Sequence, residues 1–404
     1  MPKKAKLFFI LLLFLLIFDN AWAATLPSQL SEEEFKKTGV MESKETLLGK
    51  IQRNRKEAQD HYGFNFAVVV NAQEQYIIYN NPEQEKNAKG AWYYNLEFNQ
   101  KLWKDASLAL ILQGGKGDGV DKILPTFSML NWNAGEPAEF YVPQVFLTQN
   151  LLNDKLSVSA GKLDLSNWFD VNNVANSSDT QFQSLSLVNG QTIPFPGRGM
   201  GAMGCINFTD WLYFQLGAAD ANASSTKVNL NNSFHGTFFI NELGVIPKIK
   251  DQLGNYRFMF WLNGEEIERL DEENSNASDG GFALSFDQKI TDKISLFCRY
   301  GLANERVRDI RKFWSFGGQL APPFSSRKND CLGFGVSQSI MSRDYRALND
   351  PDISYAETMY EVYYNLQLGE FVMFVPNFQV VTHPNADVNT DYAAVGGGRV
   401  VFVF

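Results

Sequence analysis

The chain has 404 residues, 36 Lys and Arg against 45 Asp and Glu, and a net charge of −9. That acidity argues against a nucleic-acid partner, which would need a basic face. Three cysteines, Cys205, Cys298 and Cys331, are too few and odd in number for a disulfide framework, and no segment beyond the amino terminus is long and apolar enough to read as a membrane helix.

At the amino terminus Lys3, Lys4 and Lys6 precede an apolar run from Leu7 to Phe18, and Ala21 and Ala23 supply the small residues of a cleavage site. The run falls well short of the roughly 20 residues that span a bilayer. Residues 1–23 therefore read as a signal peptide, with the mature chain starting near Ala24. In the following stretch, 24–63, Leu47, Leu48, Ile51 and Arg55 lie at helical spacing amid mixed charge. This predicts a short periplasmic helical segment; for residues 25–46 a disordered leader is equally compatible.

From residue 64 to 404 the period is two. In "GNYRFMFWLNG" the set Tyr256, Phe258, Phe260 and Leu262 opposes Arg257, Met259, Trp261 and Asn263. In "KISLFCRYG" Ile294, Leu296, Cys298 and Tyr300 oppose Ser295, Phe297, Arg299 and Gly301, and at the end Phe402 and Phe404 oppose Arg399. One face is greasy and the other mixed and charged. Such alternation fits a soluble sandwich or a membrane barrel, according to which face meets water. Three features favour the barrel. Aromatics make up 14% of the chain, 33 of them Phe, and they gather at strand ends as an interfacial girdle requires. Long polar connections such as "DEENSNASDGG" alternate with short ones such as "QLGEF". A strand that ends on Phe404 also needs a pairing partner, which closure of the sheet supplies.

Strand-like segments run from 64–70 and 75–80, the latter short, through to 393–404. The tally is one more than an even number, and single-chain bacterial barrels have even strand counts. The expectation is an all-β, antiparallel, up-and-down transmembrane barrel of 16 strands over residues 64–404, wide enough to keep an aqueous lumen.

Three stretches carry a family resemblance. "LSVSAGKLDLSNWFDVNNVANSSDTQFQSLSLVN" (Leu156 to Asn189), "FWSFGGQLAPPFSSRKNDCLGFGVSQS" (Phe313 to Ser339) and "ETMYEVYYNLQLGEFVMFVPNFQVVTHPNADV" (Glu357 to Val388) resemble the carbohydrate-selective porins of the OprB type. The similarity takes in roughly residues 47–404 and is most specific over the last hundred. At the start the chain departs from the family's Trp-Gly-Gly-x-Arg opening and reads "LLGKIQRNR". The resemblance implies a bacterial outer-membrane barrel that admits small sugars by passive diffusion, sits among membrane lipids and needs no cofactor or metal. Its last strand, ending at Phe404, would be presented to the outer-membrane assembly machinery. By position in the family motif it also marks Lys162, Asp164, Phe169 and Asp170 as candidates for an inward-folded constriction loop.

A sugar offers hydroxyls that both donate and accept, and apolar C–H faces, so its path calls for charged or amide groups beside aromatic planes. Residues of lumen-side parity supply these: Arg257, Arg299 and Arg399 as donors, Glu357, Glu361, Asn377 and Gln379 as acceptors, with Trp261 and Tyr363 as aromatic surfaces. Arg198, in "PFPGRGMG", joins the constriction candidates. Each has a structural rival reading: Arg399 paired with a wall carboxylate such as Glu361, Trp261 filling a rim, the Lys162 to Asp170 group and Arg198 stabilising turns. Arg-to-Ala changes at a solute-facing site would shift selectivity toward cations. Other functions are a general small-solute or ion pore, and a barrel-anchored adhesin or hydrolase. Hydrolysis lacks a motif: His61, His235 and His383 sit in no GxSxG or HExxH context, and "GGKGDG" lacks the Lys-Ser/Thr of a phosphate loop.

Overall fold

The computed structural model describes residues 55–404 except 57, 81–86, 228–235, 273 and 350–352. The proposed signal peptide and most of the 24–63 leader lie outside the described residues; of that stretch 55–56 and 58–62 are helical.

Every strand pairs antiparallel with its neighbours, and β1 (Phe64–Tyr79) bonds both β2 (Ala88–Trp103) and the last strand, β17 (Tyr392–Val403), so the sheet closes on itself. Between them run β3 (Ala106–Gly117), β4 (Tyr141–Leu151), β5 (Leu156–Leu163), β6 (Gly199–Thr209), β7 (Leu212–Asp220) and β8 (Thr237–Val245). Next come β9 (Lys248–Ile249), β10 (Gln252–Glu268), β11 (Asn276–Lys289), β12 (Ile294–Ala303) and β13 (Ile310–Leu320). β14 (Cys331–Met341), β15 (Ala356–Gln367) and β16 (Val372–Thr382) complete the wall. β8 and β9 both pair with β10. They are one stave interrupted at Pro247, which cannot donate to the ladder. The barrel therefore has sixteen staves. The segments 64–70 and 75–80 are a single strand: Asn71 and Gln73, in the gap between them, and Gln75 point into the lumen and are buried there.

The two faces segregate as the alternation predicts. Phe258, Phe260 and Leu262 are 40%, 47% and 46% exposed on the outer wall, whereas Arg257, Met259 and Trp261 between them are at most 5% exposed. The outer face meets lipid, the medium in which its apolar side chains are stable.

One rim carries short connections and the other long ones. Lys250 and Asp251 both have positive φ, +50° and +65°, the geometry whose twist matches a tight two-residue hairpin. Connections such as 104–105 and 210–211 share this rim with the start of β1 and with Phe404, whose backbone exchanges two 2.9 Å bonds with Val68 to seal the seam. The opposite rim bears the 118–140 and 164–198 loops. In a barrel of this class the short turns are periplasmic and the long loops extracellular.

Candidate functional site

The 118–140 and 164–198 loops fold inward and lie against the inner wall. What pins them are the charged side chains that alternation turns toward the lumen. Glu361 on β15 accepts the backbone amides of Gln183 (2.7 Å) and Ser184 (3.0 Å). Arg399 on β17 donates to the backbone carbonyls of Asp179 (2.7 Å) and Gln181. An anion and a cation on the wall thus bracket residues 179–184, each taking the backbone groups of opposite polarity. No ion pair joins Arg399 directly to Glu361 among the described residues.

Glu357 does the same for two other loops, accepting the amides of Phe127 (3.0 Å), Ser128 (2.7 Å) and Asn385 (2.7 Å) together with the Ser128 hydroxyl (2.5 Å). Gln379 donates to the Leu130 carbonyl (2.9 Å) and to Glu361 (3.1 Å), and Asn377 donates to Glu361 at 3.4 Å. Within the 118–140 loop, burial pushes the Asp121 carboxyl above its ordinary range, against the pull of the Leu130 and Asn131 amides that it accepts.

Three strands along the wall from β15, Arg299 on β12 makes four bonds: to the Asp170 carboxylate (2.8 Å) and to the carbonyls of Asp170 (3.0 Å), Leu187 (3.0 Å) and Ala175 (2.8 Å). Asp170 holds a left-handed φ of +59° and accepts the Gly190 amide at 2.6 Å. Arg257 pairs with Asp287 at 2.7 Å and lies 3.9 Å from Glu242.

Apolar contacts complete the seat. Phe182 meets the Tyr363 ring edge-on, 4.9 Å between centroids, and packs 5.6 Å from Phe297. The loop comes this close because β14 carries Gly335, where a Cβ would stand 2.9 Å from both Leu187 and Phe182. Phe169 and Trp261, both fully buried, share a cluster with Leu165, Ile193 and Phe238. Trp261 lies flat on the wall beside Gly281, where an added Cβ would approach its ring to 2.5 Å.

Nine of the lumen-side candidates therefore sit on the inner face, and all nine are at most 7% exposed: Arg257, Trp261, Arg299, Glu357, Glu361, Tyr363, Asn377, Gln379 and Arg399. The polar groups of Arg299, Glu357, Glu361, Asn377, Gln379 and Arg399 face loops or one another, whereas Arg257 faces the wall carboxylates Asp287 and Glu242 and the Tyr363 hydroxyl accepts from Gln319. Lys162 is also buried and donates to the carbonyls of Val142 and Ser225. Arg198 and Asp164 stand apart. They form a 3.0 Å ion pair with side chains 27% and 15% exposed, and Arg198 also donates to Gln113 (2.8 Å) and the Tyr141 hydroxyl (3.0 Å). Glu136 accepts from the same Gln113 and Tyr141, at 2.7 Å each. Beside the junction of the two loops Trp132, 44% exposed, gives its amide to the Gln183 carbonyl. Glu136, Tyr141 and Gln113 carry no motif and were not legible as a group, because they meet only when the 118–140 loop, which also carries Trp132, folds in.

A family model for the carbohydrate-selective porin, OprB family, matches residues 125–404. The chain belongs to that family. The OprB match begins after β3, short of the span from about residue 47 over which the resemblance reads. Porin AaxA of Chlamydia trachomatis serovar D is 23% identical over 261 residues, 62% of this chain and 53% of that protein. The putative porin QuiX of Acinetobacter baylyi is 26% identical over 183 residues, 41% of this chain and 37% of that protein. The chain thus spans about half the length of the curated relatives it matches, or less. The high-pH structure of OprB from Pseudomonas putida superposes with a TM-score of 0.78 at 18% identity, covering 88% of this chain and 97% of that one. This likeness shows the fold. An OprB-family barrel with these faces is an outer-membrane protein of bacteria, in a family of channels.

Proposed function

We propose that this OprB-family barrel is a passive channel for small carbohydrates, narrowed by its two inward loops. The observation that carries the reading is the division of labour inside the lumen. The buried wall charges Glu357, Glu361, Arg299 and Arg399 are occupied in holding loops, while Arg198, Asp164 and Glu136 keep partial exposure and Trp132 is exposed. A planar donor, carboxylate acceptors and an aromatic face are what weak, reversible sugar contact requires. In this reading Arg299, Arg399, Glu357 and Glu361 act on the solute through the loops that they position. The closing strand that ends on Phe404 is proposed as the element presented to the assembly machinery of the outer membrane.

Liposomes carrying the full chain, challenged with mono- and disaccharides, amino acids and salts of matched size, test it. Sugars are expected to swell the vesicles faster than other solutes of equal size, and Trp132→Ala to lower the sugar rate while leaving salt conductance in place. Discrimination by size alone would make the chain a general pore, and no permeation at all would end the channel reading.

A further inference from the structure

The outer wall of β12 to β15 is graded along its height. One rung, read across the registers, is Tyr300, Trp314, Gln338 and Thr358, and the rung on its periplasmic side is Cys298, Phe316, Val336 and Tyr360. On the upper rung the Trp314 indole N–H donates to Gln338 (3.1 Å), which donates in turn to Thr358 (3.0 Å). A row of aromatic rings and hydrogen-bonded polar side chains marks the level where hydrocarbon gives way to headgroups.

Just above that level the strand is bulged. Ile310 pairs with Met341 and Lys312 with Ile340, leaving Arg311 as the extra residue. A bulge of this kind sets two residues opposite one. Arg311 and Lys312 therefore share the outer side with Ile340, where regular alternation would have turned one of them inward. The Arg311 guanidinium lies 5.9 Å from the Tyr355 ring centroid, and that of Arg346, from the helix Arg343–Asn349, lies 5.3 Å from the same ring. The Lys312 ammonium stands 5.3 Å from the Tyr300 centroid.

Of the local acids Glu305 is committed, bonding Arg343 at 2.5 Å and lying 3.9 Å from Arg311. Asp309 is exposed beside Arg308, and Asp344 lies beside Arg343. Among the described residues no carboxylate pairs with Lys312 or Arg346, while Arg311 gives one hydrogen bond to the Tyr355 hydroxyl (3.4 Å). Lys116, another outward lysine at this rim, differs: Glu139 neutralises it at 3.0 Å.

Cations with donors to spare, raised on aromatic rings at headgroup height and facing out of the barrel, match an anion borne by the surrounding lipid. We propose that Arg311, Lys312 and Arg346 form a docking site for the phosphate of an outer-leaflet glycolipid. The site is separate from the lumen and does not depend on what the channel passes.

The test is native mass spectrometry of the detergent-purified full chain titrated with bis-phosphorylated lipid A. Parallel titrations use the same lipid with its phosphates removed, and inorganic phosphate. Retention of the phosphorylated lipid is expected, weakened about thirtyfold in an Arg311→Gln, Lys312→Gln double variant at about 1 kcal/mol per cation. Lys116→Gln is expected to bind as the parent does. Heat-modifiable migration on gels confirms that each variant is a folded barrel, and Arg346→Gln offers a second route if the double variant does not fold. Equal retention of the dephosphorylated lipid, equally tight binding of inorganic phosphate, or undiminished binding by the folded variants would overturn the site.

Discussion

The lumen has two polar regions built from the same residue types. On β15 to β17 the carboxylates of Glu357 and Glu361 and the guanidinium of Arg399 are no more than 1% exposed, and loop backbone groups occupy them. Around β3 to β5 the Arg198–Asp164 pair stays partly open, on a wall with Gln113 and Tyr141. The difference teaches that a charge turned toward the lumen is not thereby in contact with solute. A charge taken from water has to be paired or bonded; for Glu357, Glu361 and Arg399 the partners are chiefly loop backbone, and for Arg257 the partner is the Asp287 carboxylate. Such a residue shapes the path by fixing what stands in it, whereas a charge that stays hydrated meets the solute itself.

Removing an anchor should have the largest effect. Arg299→Ala leaves the Asp170 carboxylate buried without its cation and three carbonyls without their donor. The expected cost is about 3–5 kcal/mol, read in urea unfolding of the refolded barrel, together with a rise in conductance as the 164–198 loop loosens. Arg299→Lys should recover only part of this, since one ammonium cannot reproduce the planar fork. An Arg299→Ala barrel with parental stability and conductance would remove the anchoring role.

Glu361→Gln is a milder break. The shape is kept, but an amide nitrogen would face the Gln183 or Ser184 N–H, donor against donor. About 1–3 kcal/mol is expected, with increased current noise from a less firmly held loop; a quiet channel of unchanged stability would count against the bracket at residues 179–184.

Arg198→Gln sharpens the other side of the comparison. Its stability should change by less than about 1 kcal/mol, because a partly exposed pair is worth little. The reversal potential in a salt gradient should nonetheless move toward cation preference, with Asp164 and Glu136 left uncompensated. A stability loss without a selectivity change would place Arg198 among the anchors.

The smallest effect belongs to the extracellular rim. Hydrogen bonding from Arg343 holds the Glu305 carboxyl below its ordinary value. Such a group adds stability above its unfolded pKa and loses it as the pH falls through the folded one. Acidification below the ordinary carboxylate range should release the Glu305–Arg343 contact, seen as faster amide exchange near residues 343–349.

Much of the architecture is legible in the residues. Phe258, Phe260 and Leu262 set against Arg257, Met259 and Trp261 declare two faces, and a greasy outer face with an even stave count leads to a closed barrel. The first strand is less legible, because the polar Asn71 and Gln73 fall between the segments 64–70 and 75–80 and find partners only in the lumen. The site was legible by residue type and facing only: parity brought Arg299, Arg399 and Glu361 to the inner wall but said nothing about what would lie on them.

Sequence alone determined the alternation, the outer-membrane class and the family, because a period of two and the family's motifs are local properties of the chain. Only the tertiary structure decided which lumen-facing charges are occupied and which stay open. That choice depends on contacts between residues more than a hundred positions apart, such as Glu361 with Gln183 and Arg399 with Asp179. It also depends on Gly335, where the missing side chain lets a loop settle against the wall. No local pattern encodes contacts of that kind, because they exist only once the sheet has closed and its loops have folded inside.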